Sequence, residues 1–550
     1  MIYNQLKGIY EKEKKLKLYK KTLASILALI LCIGFFGCSK KNNAPESKTI
    51  NYNISSDPDT LDPQIADDEP SRLIIRNIFE GLVRLDKNDS LSPGAAESWD
   101  ISDDLLTYTF RLRDGLKWSD SSALTADDFR YGILRALSPQ TGSSTSGKLL
   151  CIKNAEDYHA GKVNEDKTGI TVKDKKTIEI RLDHPDPEFL YTLTTPPAMP
   201  CSKAFFEASV GQYGRTDEKI LCNGAFMLKK NNWVDNEYIF LSKNTNYCGK
   251  NKPVPAGVNL TIGKELNDIC EAINSGETDC GVISTDKVSK ANEYSMHLES
   301  FPDKLWGISF NTGNDILRNL KIRSSLLSSI DKSYIMKDIP EYCDQADNII
   351  PEFTKFNGKS YREIAGDITY KPIKDKNKVL KQGLKELDIT VMPNLTILCP
   401  EDQQDQAFVN DLIETWNKFT GAYFNKKPLS VNELKSRIQN GSFQIAICPL
   451  YVNETDPVSI AESFCSDSKY NPSAFSSEEY DSIIDGIHKN DSSESAGLLK
   501  KAESFILENA AFYPLYTEYK YCASAKNITG IIFRQSGTEI DFFNATKRED

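Results

Sequence analysis

Histidine is scarce in this chain of 550 residues: only four occur, His159, His184, His297 and His488, all far apart, and no C-x-x-C is present. The ligand spacing of a zinc site is therefore missing. Neither G-x-S-x-G nor H-E-x-x-H is found, which removes the common hydrolase and metallopeptidase patterns. Without a G-x-x-x-x-G-K-[ST] loop, the chain is not an ATP-hydrolysing subunit. Acidic groups such as Asp100, Asp103 and Asp104 arise by composition in an acidic protein rather than as a glycosidase pair. No catalytic residue, metal site or cofactor is assigned, and the chain is read as a non-enzyme. Positive charge is also in deficit, 67 Lys and Arg against 78 Asp and Glu for a net charge of −11. Such a surface repels phosphate backbones, so nucleic acid is excluded as a partner. No repeat with a period of 20 to 50 residues is seen, which sets aside solenoids and propellers.

Long apolar runs are nearly absent as well. The one exception, residues 23–37, follows Lys12, Lys14, Lys15, Lys17, Lys20 and Lys21. At about 15 residues it falls short of the about 20 that an α-helix needs to cross a bilayer, and the layout is that of a signal peptide. Cys38 follows the small residue Gly37 and precedes a polar stretch. This segment resembles a bacterial lipoprotein signal, although Phe35 and Phe36 depart from the common pattern. The resemblance implies removal of residues 1–37, diacylglycerol on Cys38, and a tether over residues 38–48. Of 13 cysteines, Cys32 and Cys38 belong to this leader, leaving eleven. An odd number leaves at least one thiol; buried thiols acting as small hydrophobes are the default, with one or two disulfides open.

Past the leader the pattern is α/β. Residues 49–55 alternate as a strand, and residues 71–85 carry Leu73, Ile74, Ile78, Leu82 and Val83 as a helical stripe. Residues 105–116 read as a strand. Thr125, with Asp128 three residues on, opens a helix that Ser138 and Pro139 end near residue 137. Further strands are expected at 169–172, 177–182, 224–228, 238–241 and 258–262, then at 395–399 and 443–448. They alternate with helices at 265–275, 320–327, 405–419, 431–440 and 493–507. Residues 141–147, rich in Ser and Gly, are expected to be a surface loop, with a ligand-contacting loop as the alternative.

The run DPDTLDP at residues 57–63 is followed by IFEGLVRLDKNDSLSPGAAESWDISDDLLTYTFRLRDGLKWSDSSALTADDF at 78–129. Together they resemble the large peptide-binding lipoproteins of ABC importers, extracellular solute-binding protein family 5. The similarity continues through CNGAFMLKK at 222–230, SKNTNYCGKNKPV at 242–254, INSGETDC at 273–280 and SFNTGNDILRNLKIRSSLLSSID at 309–331. It ends with ETDPVSI at 454–460, FSSEEYDSII at 475–484 and AAFYPLY at 510–516. The resemblance implies an α/β, two-lobed periplasmic-binding-protein-like fold, type II, of the large class with an extra inserted domain. The first lobe is expected to combine residues 49–85, 220–304 and 513–550, the inserted domain to span 86–219, and the second lobe to span 305–512.

Carried over by position, the ligand-facing residues are Asp67 and Glu69, then Val282, Ile283 and Ser284, then Trp306, and finally Ile447, Leu450, Asn453 and Asp456. The last stretch departs from family members that clamp a peptide amino group. Asn453 stands where they carry an aspartate, Ile447 where an arginine is often found, and Leu450 where a tryptophan is. An amide gives no full charge to an ammonium. Glu69, Glu454 and Asp456 are substitutes to weigh, with Asp456 expected first as the cap of a helix before Pro457. Trp306 suits core or pocket equally. The implied activity is capture of extended oligopeptides by a monomer that is lipid-anchored on the extracytoplasmic membrane face and serves an ABC permease and ATPase. The rivals are the same fold binding a dipeptide, nickel complex, haem or oligosaccharide, and a ligand-sensing signalling receptor.

Overall fold

The computed structural model describes residues 48–550 except 187, 264–267, 338, 340–341, 357–358, 402–406, 453–455, 470, 490–491, 535–539 and 549–550. Cys38, Asn453 and Glu454 lie outside the described residues. A mixed sheet of twelve strands forms the frame. In chain order its principal strands are β1 (Ile50–Ile54), β2 (Phe226–Met227), β3 (Tyr238–Lys243), β4 (Gly257–Ile262), β5 (Cys280–Ile283) and β6 (His297–Phe310). There follow β7 (Leu395–Pro400), β8 (Phe424–Leu429), β9 (Ile445–Tyr451) and β10 (Phe512–Ser524). Their spatial order is β8-β7-β9-β6-β10-β5-β1-β4-β3-β2. A separate four-stranded sheet contains Ala96–Ile101, Thr107–Leu112, Thr177–Arg181 and Ile170–Asp174.

The apolar residues explain why this frame has two lobes. One large hydrophobic cluster joins β1, β3 and β4 to the four-stranded sheet, and a small one packs Ile283 and Ala523 against Cys270 and Val288. Two others begin at Leu305 and Trp306 and take up opposite faces of the sheet beyond. Only β6 and β10 are long enough to take part in both halves. Phe301 still packs against the first cluster, and Leu305 already belongs to the second. Between them Pro302 pairs with Tyr519 and Lys304 with Glu518, with Asp303 the extra residue of a bulge. The sheet is thus continuous while its hydrophobic packing is interrupted there. That is what a hinge needs, because bending opens few buried apolar contacts.

Local signals account for the elements around the cleft. Helix α1 (Glu69–Ile78) is capped by Asp68, whose Oδ1 accepts from the Ser71 amide at 2.9 Å. Helix α2 (Ala126–Leu137) starts where the Asp128 carboxylate accepts from the Thr125 amide at 2.7 Å, and the chain turns extended at Ser138, before Pro139. The helix expected over residues 71–85 ends early. Phe79 is extended, and Val83–Leu85 forms a strand instead. The cause is tertiary: a Cβ at Gly81 would lie 2.8 Å from the Leu193 carbonyl oxygen, so this backbone is pressed against another segment. No disulfide links any two of the eleven described cysteines.

Candidate ligand cleft

The cleft begins at the N-terminus of α1. Asp67, Asp68 and Glu69 follow one another there, but the fold uses them differently. Asp68 caps the helix, Asp67 is exposed and accepts from the Ser144 hydroxyl at 2.8 Å, and Glu69 is exposed. Glu69 and Val282 share a cavity of about 280 Å3 with Tyr52, Ser55 and Pro70, at the C-terminal ends of β1 and β5. Two residues of the expected set therefore line one space. Ser284 is exposed and donates to Asp286, whereas the Ile283 side chain is buried in the small cluster. A smaller cavity of about 80 Å3 around Arg84, Thr194 and Arg534 contains none of the expected residues.

On the other lobe β9 carries the expected residues Ile447 and Leu450. Both side chains are buried, in the clusters on opposite faces of the sheet. What they can offer a ligand is therefore main chain. β9 pairs with β6 from Ile445 to Tyr451, but with β7 only at Ile445 and Ala446. Among the described residues, no strand pairs with the second edge of β9 from Ile447 to Tyr451. Unpaired N–H and C=O groups along a strand edge are a template for an added strand.

Asp456 does cap a helix, α3 (Pro457–Glu462). Its carboxylate accepts from the Val458 amide at 2.9 Å and the Ser459 hydroxyl at 3.0 Å, and lies 3.8 Å from the Lys148 ammonium. A second tie between the same regions runs from the Lys355 ammonium to the Asn88 carbonyl at 3.3 Å. Near α3, His488 hydrogen-bonds Glu462 at 2.8 Å, and that bond raises the imidazole pKa.

The stretch where β6 and β10 pass from one set of clusters to the other carries charges that sequence reasoning passed over. Lys304 lies 2.9 Å from Glu518 and 3.5 Å from Asp303, and the Trp306 indole N–H donates to Glu518 at 2.5 Å. Trp306 is thus both buried and tied to a polar group. Burial works against the Lys304 ammonium, but Glu518 and Asp303 outweigh it and hold its pKa up. Glu299, opposite Cys522 in the register, has its carboxyl pushed up by burial alone. The available signal was the alternation of charge within an apolar strand, TEYK at residues 517–520. Among the described residues, no three His, Cys, Asp or Glu side chains are placed to hold a metal ion.

Comparison with known proteins places this geometry. The family model "Bacterial extracellular solute-binding proteins, family 5 Middle" matches residues 90–472. The dipeptide-binding protein DppE of Bacillus subtilis is 25% identical over 533 residues, covering 94% of this chain and 97% of that protein. The oligopeptide-binding protein OppA of the same organism is 26% identical over 542 residues, covering 95% and 98%. Among solved structures, the ABC transporter substrate-binding protein CtaP of Listeria monocytogenes superimposes with a TM-score of 0.72 at 22% identity, over 92% of this chain and 100% of that one.

Proposed function

Since the chain belongs to the bacterial extracellular solute-binding proteins of family 5, we propose that it captures extended oligopeptides between its lobes and hands them to an ABC permease. The observation that supports this reading is the edge of β9 from Ile447 to Tyr451, which no strand among the described residues pairs, in a chain whose other lobe holds a cavity lined by Glu69 and Val282. Main-chain bonding along that edge is the same for every peptide, so it supports affinity without sequence selection. Water in the remaining space tolerates varied side chains. Glu69, Val282, Trp306 and the main chain of Ile447 and Leu450 are the ligand-facing set in this reading, with Asp67 and Asp456 at the two rims. The names of DppE and OppA, which match over nearly their whole length, support a peptide ligand.

The lobes follow from the same reading. Residues 49–85, 220–304 and 513–550 form one, 305–512 the other, and 86–219 the inserted domain. The hinge lies where β6 and β10 leave one set of clusters for the other. Acylation of Cys38 anchors the protein on the outer face of the cell membrane, and the monomer works there. No helix among the described residues is long and apolar enough to cross a membrane.

The test is to purify the chain lacking its leader, release bound material by denaturation and identify it by mass spectrometry. Peptides of a narrow length range are expected. Their absence, together with no thermal shift from a mixed peptide library, overturns the peptide assignment and turns attention to a different ligand for the same cleft.

A further inference from the structure

A run of lysines lies outside everything the cleft uses. Residues 371–388 hold six of them against Asp375, Glu386 and Asp388, in a chain whose net charge is −11. Lys378, Lys381 and Lys385 stand three and four residues apart on the helix Lys376–Glu386 and so form one row along it. The opposite side of that helix is held in the core. Leu380 and Leu384 join the cluster of Trp306 and Ile322, and a Cβ at Gly383 would lie 2.9 Å from Ile322 Cγ1. The row is therefore fixed in place and turned outward. All three lysines are exposed, as are Lys371 and Lys374 just before the helix, and among the described residues no carboxylate pairs with any of the five. Other surface lysines do have such partners: Lys290 lies 2.9 Å from Asp268 and 2.7 Å from Glu271. Glu386, beside Lys385, is taken by Lys321 and Asn319. Exposed apolar side chains border the C-terminal end of the row. Leu320, which follows Asn319, is 40% exposed and Val391 74%; Tyr423, whose amide donates to Asn394 Oδ1 at 2.9 Å, is 62% exposed.

We propose that this face docks on an anionic phospholipid surface, the lysine row meeting headgroup phosphates while Leu320, Val391 and Tyr423 reach toward the acyl boundary. The proposal is independent of which ligand the cleft takes. A lysine close to such a surface strengthens partition about fivefold, which is about 1 kcal/mol. The row of three is thus worth about a hundredfold, and Lys371 and Lys374 add to it. The acidic remainder of the body is repelled by the same surface, so the row decides which side of the protein turns to the membrane. An acylated Cys38 brings the chain there but leaves the body free to rotate on residues 38–48; the lysines supply a second point of contact that stops it. A membrane accounts for the apolar side chains as well as the cations, because interfacial segments combine basic groups with exposed apolar and aromatic ones.

The test is sedimentation of the chain lacking only its leader, so that no acyl chain contributes, with vesicles of phosphatidylcholine alone or mixed with phosphatidylglycerol. Wild type is expected to partition at least about thirtyfold more strongly onto the mixed vesicles, and salt at about 0.5 M should remove most of that preference. Lys378→Gln, Lys381→Gln and Lys385→Gln together should weaken partition onto the mixed vesicles at least about tenfold. Lys378→Arg, Lys381→Arg and Lys385→Arg together should retain it, which separates loss of charge from damage to the helix. Equal partition of wild type and the glutamine variant overturns the proposal, and so does an arginine variant as weak as the glutamine one. Wild type that does not prefer the anionic vesicles also overturns it, and leaves an acidic protein segment as the occupant of this face.

Discussion

Arg135 on α2 and Asp62 form a buried ion pair, with side chains 8% and 4% exposed, and its two halves are expected to fail differently with pH. The guanidinium also donates to Gln64 Oε1 at 2.9 Å and Cys201 Sγ at 3.3 Å, and it stands 4.1 Å over the Phe206 ring. Asp62 accepts in addition from the Gln64 amide at 3.1 Å. The segment cannot retreat from the pair, because Leu61 is bonded to the Gly214 carbonyl at 2.8 Å. A Cβ at Gly214, whose φ is +75°, would stand 2.3 Å from the Asp62 nitrogen. Removing one partner strands the other in a space with little water, a loss of about 3 to 5 kcal/mol.

The stranded groups are not equivalent. A carboxylate can take up a proton, whereas a guanidinium has no accessible neutral form. Burial already pushes the Asp62 pKa up, with Arg135 opposing it; in Arg135→Met the opposing charge is gone and the carboxyl rises further. A pKa raised above its unfolded value contributes stability that is present below the unfolded pKa and is lost as pH rises through the folded one. Arg135→Met should therefore be hurt most at about pH 8. Toward about pH 5 it should recover relative to wild type, by up to about 1.4 kcal/mol per pH unit once the carboxyl begins to protonate. Asp62→Ala has no such release and should show a flat penalty. Opening free energies from native-state hydrogen exchange at the Leu61 and Cys201 amides, both bonded across this junction, measure the effect locally, where a global unfolding energy is ill-defined for a multi-lobed chain. Two variants whose penalties run parallel across that pH range would refute the reasoning.

Arg323, 4% exposed, donates to the carbonyls of Leu317, Arg318, Asn509 and Ala510 with no carboxylate among its partners, and burial lowers its pKa to about 10. Arg323→Met leaves those carbonyls unpaired and should destabilise the second lobe by at least about 3 kcal/mol, read as a fall in the urea midpoint followed by tryptophan fluorescence. Lysine should not restore it, because its three donors lack the planar fork. A thiol reagent at mildly alkaline pH should modify the folded protein slowly and only at the partly exposed Cys151, Cys248, Cys343 and Cys465, since burial pushes Cys343 and Cys465 up to about 12. In denaturant without reductant, the chain starting after Cys38 should titrate all eleven thiols, and any smaller number would establish a disulfide.

What could be read from the residues alone was what local chemistry decides. The α2 boundaries were legible because Thr125, Asp128 and Pro139 mark them within a turn of each end. The α1 boundary was not, because its end depends on Gly81 meeting Leu193. The long strands β6 and β10 were hard to read for another reason. Pro302 and Pro514 interrupt them, and proline ordinarily argues against a strand, yet both sit beside shifts in register. The family of the protein and its fold were recoverable from runs of residues. The charges at Lys304 and Glu518 were not, since these residues are far apart in the chain and acquire meaning only through the pairing of β6 with β10. Ile447 and Leu450 were named by position alone, and both side chains are buried because both faces of β9 are covered.

That distribution of charge leads to an expectation about ligand termini. Asn453 supplies no full charge, and Asp456 is already engaged by the Val458 amide, the Ser459 hydroxyl and Lys148. Glu518 is neutralised by Lys304 and held by Trp306. Glu69 is exposed, so an ammonium beside it gains the screened value of a surface pair, about 1 kcal/mol or less. No carboxylate among these is both desolvated and unclaimed, which is the combination that makes an amino-terminal clamp strong. Acetylating the amino end of a bound peptide should consequently weaken it by less than about tenfold, which is about 1.4 kcal/mol, when measured by calorimetry against the same peptide unmodified. A hundredfold loss would mean that one of these carboxylates gives up its present partners on binding, and Asp456, whose lysine stands 3.8 Å away, would be the first to replace with asparagine.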